Sequence, residues 1–182
     1  MRALCCLAAL TTFATAAQAE ATKYPLTLDN CGVEVTFDKA PATTVSLGQT
    51  ATEILYSLDL ADKVAGTGVW FSDVLPEFAE VNAKVERLAD NDPSFESIVA
   101  KRPDVVIAQY EWHVGPQGIV ATREQFGDLG IATYILPTDC VGKDNTVGSD
   151  GTRLEPFTTE VLYDTITELG RICDVQAKAG GL

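Results

Sequence analysis

The sequence predicts an α/β protein: a mostly parallel sheet covered by helices on both faces, preceded by an antiparallel hairpin. Three observations predict it. Short apolar runs of strand length alternate with segments of helical periodicity, and such alternation implies parallel strands joined by crossover helices. An Asn30-Cys31-Gly32 turn joins the first two runs. Glycine, proline and polar clusters separate the later elements, as loops at the sheet edges require.

The elements follow in order. Leu26, Thr27 and Leu28 pair with Val33–Phe37 as the hairpin. After Pro41, Val45, Ser46 and Leu47 form a short strand. Thr50-Ala51-Thr52-Glu53 reads as a capping box, and Ile54, Leu55 and Leu58 as the apolar face of the helix it opens. Val64–Gly68 is the next strand, 76–82 a helix and 85–88 a third short strand. From Phe95 a helix turns Phe95, Ile98 and Val99 inward and leaves Glu96 outside; Pro103 stops it, and Val105–Ala108 is a core strand. Residues 110–119, with Gly115, Pro116 and Gly118, read as loop, 122–129 as a helix ended by Gly130, and 133–136 as a strand. The polar stretch 138–156 reads as a surface loop; its Asp144 and Asp150 lack calcium-loop spacing. Thr159 is placed as the cap of a last helix whose stripe, Leu162, Ile166, Leu169 and Ile172, requires a partner surface.

Right-handed crossovers place the strand-to-helix loops on one sheet edge, where ligands bind in open α/β sheets. Those loops carry Gln49 and Thr50, Trp70 and Phe71, Asn91 and Asp92, and Tyr110, Trp112 and His113. The aromatic rings offer flat apolar faces with polar edges, suited to a macrocycle or chelate.

Arg2 precedes an uncharged apolar run over 3–17, and Ala17-Gln18-Ala19 is a small-x-small cleavage site, so 1–19 reads as a cleavable signal peptide and the product as exported. Cys5 and Cys6 lie too near Arg2 to read as a lipoprotein cysteine. Without Arg2, 12 of the 13 basic residues remain against 26 acidic ones, a balance of −14 that argues against nucleic acid or an anionic membrane as partner. Length allows one domain. Of the cysteines left, Cys31 and Cys140 sit in turn-rich segments and are assigned to each other, closing a loop that contributes about 4 to 5 kcal/mol in the chain-entropy account. Cys173 falls on the apolar helix stripe as a buried thiol.

Catalytic signatures are missing. One histidine forms neither a zinc helix nor a two-histidine centre, and no nucleophile elbow or Walker loop occurs. Gly66-Thr67-Gly68 follows a strand, but Phe71 stands where a dinucleotide fingerprint needs glycine. A Cys140–His113 nucleophile pair is outweighed by the disulfide assignment. No catalytic residue, resident metal or cofactor is assigned. His113 itself is read as polar surface rather than as a haem ligand.

Taken together, 41–58 and the block from Pro93 through Phe95, Glu96 and Pro103 to Ala108 closely resemble the N-terminal lobe of the extracytoplasmic substrate-binding proteins of iron-siderophore, haem and vitamin B12 ABC importers. The resemblance implies a Rossmann-like lobe of a two-lobe, helix-linked binding protein that captures an iron-siderophore, haem or corrinoid ligand as a monomer and delivers it to ABC permease subunits. It makes Gln49, Thr50, Trp70, Asn91, Tyr110 and Trp112 the ligand rim and Glu96 a docking residue for permease arginines. It divides the chain into signal peptide 1–19, hairpin 20–40, lobe 41–157 and a helix with the start of a linker over 158–182, so that the sequence reads as a fragment or truncated product without the C-terminal lobe. The alternatives are a binder of free metal or another small ligand on the same fold, and a cell-envelope domain outside transport. Location is periplasmic or otherwise extracytoplasmic.

Overall fold

The computed structural model describes residues 20–146 and 151–182. The signal-peptide assignment, Cys5, Cys6 and Asp150 lie outside the described residues.

Five parallel strands form the central sheet. They are β3 (Thr44–Leu47), β4 (Val64–Gly68), β5 (Arg87–Ala89), β6 (Val105–Ala108) and β7 (Ala132–Ile135), ordered β5-β4-β3-β6-β7. All four residues of β3 and of β6 are buried, as expected for central strands covered on both faces. Alternation along β6 divides the core in two: Val105 and Ile107 face one layer, Val106 and Ala108 the other. On the first face lie α1 (Gln49–Ser57) and the last long helix (Thr159–Ile172), through Ile54, Leu55, Leu169 and Ile172. On the second lie Ile98 of α3 (Phe95–Val99), Val114 of α4 (Glu111–Val114) and Phe126 of α5 (Arg123–Gly127). One short helix, α2 (Ala79–Asn82), after a 3-10 turn at Pro76–Phe78, completes the β4-to-β5 crossover.

The hairpin, β1 (Leu26–Asn30) with β2 (Val33–Phe37), turns through Cys31 and Gly32, both at positive φ (58° and 78°). Two such residues give the turn whose twist matches paired strands. Leu26 and Phe37 enter the first core layer. Asn30 does more: its side-chain amide donates to Ile135 O and accepts from Ile135 N, at 2.7 and 2.8 Å, so it satisfies the open edge of β7 as a further strand would. Arg123 Nη2 holds that asparagine in place at 2.8 Å. Beside it, Cys31 and Cys140 are joined as a disulfide, Cα to Cα 5.6 Å. Cys173 is a buried free thiol, pushed by burial up to about 11.

Several boundaries differ from expectation. Thr50 is not a cap: α1 begins at Gln49 behind Gly48, whose φ is 118° and whose N–H donates to Gly68 O at 2.9 Å. A Cβ there would lie 2.2 Å from Gln109 Cβ, so the strand-to-helix turn demands glycine and starts the helix before the Thr-Glu pair can cap it. The local pattern succeeds at α5, where Thr122 and Gln125 form a reciprocal capping box. Residues 110–114, expected as loop, hold the single turn α4. The polar stretch, expected as loop, folds in its described part into a 3-10 turn, Pro137–Asp139, and a short hairpin of β8 (Lys143–Asp144) with β9 (Thr152–Arg153). The last long helix, α6, spans Thr159–Ile172 with Thr158 rather than Thr159 at its N-cap. A final turn, α7 (Gln176–Ala179), follows.

Candidate functional site

The carboxyl ends of the five strands open on one edge, and the strand order reverses between β3 and β6. That switch point leaves a crevice in which side chains from several loops meet. A cleft of about 430 Å³ occupies it. Val69 and Phe71 enter from the end of β4, Asn91 and Asp92 from the end of β5, and Tyr110, Trp112 and His113 from β6 and α4. Asp139, Lys143 and Asn145 close it from the segment after β7.

Each side chain is held there by a local cause. The bare Gly48 lets Gln109, at the end of β6, approach the start of α1 so closely that its Oε1 accepts from Thr50 N at 2.9 Å, while its Nε2 donates to the Tyr110 hydroxyl at 2.7 Å. Tyr110 in turn meets Phe71 edge to face, centroids 6.3 Å apart. Phe71 is 70% exposed, the most open aromatic ring among the described residues. It stays on the rim because α1 anchors its loop: Gln49 accepts from Ser72 Oγ at 3.0 Å and donates to Asp73 O, and Glu53 accepts from Leu75 N at 3.0 Å.

The wall opposite is polar and paired. Lys143 Nζ lies 2.5 Å from Asp139 Oδ1, with both side chains about nine-tenths buried. The second Asp139 oxygen accepts from Glu111 N at 2.7 Å, and Asn145 Nδ2 donates to Glu111 Oε2 at 2.6 Å. This network fixes α4, and with it Trp112 and His113. The imidazole is 3% exposed, its Nε2 3.0 Å from Asp92 Oδ1, and its Nδ1 is buried without a hydrogen-bond partner. Burial pulls its pKa below the ordinary 6.5, against the opposing influence of Asp92, the Tyr110 backbone and Asp139. The side chain thus joins Asp92 as a neutral hydrogen-bonding group across the cleft wall.

The structure therefore brings Asn91, Tyr110 and Trp112 together in the cleft. Thr50 lies in an adjoining recess with Gln109, Tyr110 and Asp139. Gln49 serves as the anchor of the Phe71 loop. Trp70 departs from the expected rim: it is 6% exposed, its Nε1 donates to Thr67 Oγ1 at 3.1 Å, and Arg87 lies over the ring at 4.8 Å. Thr67, Ser46 and Thr52 form a buried hydroxyl cluster between sheet and α1, which gives that indole a polar partner inside. His113, expected as polar surface, is buried. Glu96 stands exposed in the first turn of α3, behind a Ser94 cap that accepts from Ser97 N. Asp139 and Lys143 were not expected in the site; their i, i+4 spacing was the available signal, concealed in a stretch read as loop. Among the described residues, no group of three or more His, Cys, Asp or Glu side chains is placed to hold a metal ion.

A doubly wound lobe with an aromatic and polar cleft at its switch point is a ligand-binding α/β architecture. The sequence profile of the periplasmic binding protein family matches residues 44–181, and the chain belongs to that family, one of binding proteins rather than enzymes. An uncharacterized ABC transporter substrate-binding lipoprotein of Bacillus subtilis, YvrC, is 40% identical over 86 residues, covering 47% of this chain and 26% of that protein. Among solved structures, an ABC-type Fe3+-hydroxamate transport system from Saccharomonospora viridis is 29% identical with a TM-score of 0.65, covering 87% of this chain and 52% of its own. A periplasmic binding protein from Veillonella parvula, at 23% identity and TM-score 0.67, shares the fold over 86% of this chain and 48% of that one. The haem-binding protein HmuT, at 16% identity and TM-score 0.58, shares it over 89% and 45%. The chain thus spans about half the length of these solved relatives.

Proposed function

We propose that this chain is the N-terminal lobe of an exported solute-binding protein that captures an iron-siderophore, haem or corrinoid complex and presents it to an ABC permease. The observation that carries the reading is the cleft at the switch point, where Phe71, Tyr110 and Trp112 stand beside Asn91 and Asp92 in a family of binding proteins. Flat rings with polar neighbours suit the ligand face of a chelate or macrocycle. Residues 20–40 serve as the hairpin that seals the sheet edge, 41–157 as the binding lobe and 158–182 as the helical passage toward a second lobe. Export by the 1–19 signal peptide places the cleft in the periplasm or outside the membrane. The protein acts as a monomer. Titration with ferric siderophores, haem and cobalamin, followed by tryptophan fluorescence, tests the ligand: saturable quenching is expected with one class, and loss of it on Trp112→Ala. No saturable change with any of them overturns the reading.

Glu96 is the docking residue in this reading. Its carboxylate is exposed on the helix that follows the cleft-forming loop of Asn91 and Asp92, positioned for charge-assisted pairs with permease arginines. Its contribution to the helix dipole is about 0.3 to 1 kcal/mol. Glu96→Ala is expected to leave ligand affinity and melting temperature nearly unchanged while weakening the permease complex and its salt dependence. Lost ligand affinity, or an unaltered permease complex, overturns the assignment.

A further inference from the structure

The charges around the cleft do not balance. Among the described residues that line it, Lys143 is the sole lysine or arginine. Its ammonium is committed to Asp139 Oδ1 at 2.5 Å, and both side chains are about nine-tenths buried. An anionic ligand recruiting Lys143 would leave the Asp139 carboxylate buried and unpaired, which is strongly unfavourable. Arg153 lies in the adjoining recess, where it donates to Thr138 O at 2.8 Å and stands over Phe157. His113 spends its Nε2 on Asp92. The Asp92 side chain, however, is 43% exposed. Glu111, its carboxylate held by Asn145, lines the neighbouring pocket rather than this cleft. What remains open is the Asp92 carboxylate, with the exposed Phe71 ring and Trp112 on the same lining, and aromatic faces attract cations.

On the reading of this cleft as the ligand site, we infer that it selects complexes of zero or positive net charge carrying an apolar face, and rejects polyanionic chelates. The selection arises from Asp92 and the aromatic faces acting together, with the buried Lys143–Asp139 pair withholding the cation that an anion would need.

The test uses the whole chain and two series of probes read by tryptophan fluorescence. In the first, ferric trihydroxamates of like coordination carry a cationic amine tail, no charge, or an anionic succinyl tail, and are set beside a trianionic ferric tricatecholate. In the second, tetraphenylphosphonium and tetraphenylborate present nearly the same apolar shape with opposite charge and no metal. The cationic member of each series is expected to bind about tenfold or more tightly than the most anionic one, with the gap narrowing as salt is raised. Asp92→Asn, which keeps an oxygen for the His113 bond, is expected to shrink the cation-to-anion ratio at least about threefold; a melting curve checks that the variant folds. Equal or tighter binding of the anions, or a ratio indifferent to both salt and Asp92→Asn, overturns the inference. The two series separate it from the functional reading. Phosphonium preferred over borate with no chelate bound at any charge sinks the transport ligand and keeps the charge selection, while an anionic chelate bound tightest keeps the ligand class and sinks the selection. Binding of none of the probes removes both.

Discussion

His113 and Trp70 show how burial assigns roles that residue type leaves open. Two tryptophans stand in two strand-end loops, yet Trp112 lines the cleft while Trp70 turns inward to Thr67. The single histidine of the chain, next to Trp112, is buried against Asp92. Its folded pKa lies below the unfolded value of 6.5, so below that pH the unfolded chain binds more protons than the folded one and stability must fall with acidification. Above 6.5 the imidazole is neutral in both states and contributes no such dependence. The loss therefore starts as the pH drops through 6.5 and grows until the depressed folded value is passed. Denaturant midpoints at about pH 8 and pH 5.5 should fall further for the wild type than for His113→Gln. Equal losses would show that the histidine titrates in the folded protein as it does in the unfolded one.

At the scale of elements, α6 supplies the clearest case of a sequence pattern finding its surface. Its stripe was legible from spacing alone, and Leu169 and Ile172 lie fully buried against Leu26, Tyr134 and the sheet. Deleting Leu169 to alanine leaves a cavity between helix and sheet and is expected to cost about 2 to 5 kcal/mol, whereas Tyr163→Ala, at a ring 56% exposed, should change stability by less than about 0.5 kcal/mol. Chemical denaturation of both variants checks the contrast, and similar losses would place α6 elsewhere. The two capping patterns teach the opposite lesson. Thr122 with Gln125 caps α5, but Thr50 with Glu53 does not cap α1, because the Gly48 turn set by Gln109 advances the helix start and Glu53 bonds Leu75 N instead. A local motif fixes a helix end only where no tertiary contact has claimed it first.

On the scale of the molecule, the hairpin is joined to the sheet at one seam. Asn30 bonds Ile135, Arg123 bonds Asn30, and the Cys31–Cys140 bridge closes a separation of 109 residues. Constraining so long a loop in the unfolded chain contributes about 4 to 5 kcal/mol in the chain-entropy account. The double variant Cys31→Ser, Cys140→Ser, or the reduced wild type, should lose stability on that order in denaturant titrations. A change under about 1 kcal/mol would mean that the Asn30 amide and the apolar contacts of Leu26 and Phe37 hold the seam alone.

The sequence by itself determined the α/β class, the order of strands β1 to β7 and of the helices other than α4 and α7, the sheet edge on which the strand-to-helix loops gather and the stripe of α6. These rest on periodicity, turn chemistry and chain handedness, which act over short separations. Only the tertiary structure decided that Trp70 is core and Trp112 is cleft, that Gln49 anchors a loop, and that Lys143, Asp139 and His113 join the site. Those outcomes depend on which distant groups offer a hydrogen bond or an ion pair at the point of burial, as Thr67 does for Trp70, Asp92 for His113 and Asp139 for Lys143. A polar side chain is buried where its partner waits, and that partner is set by packing across the sheet rather than by neighbours in the chain.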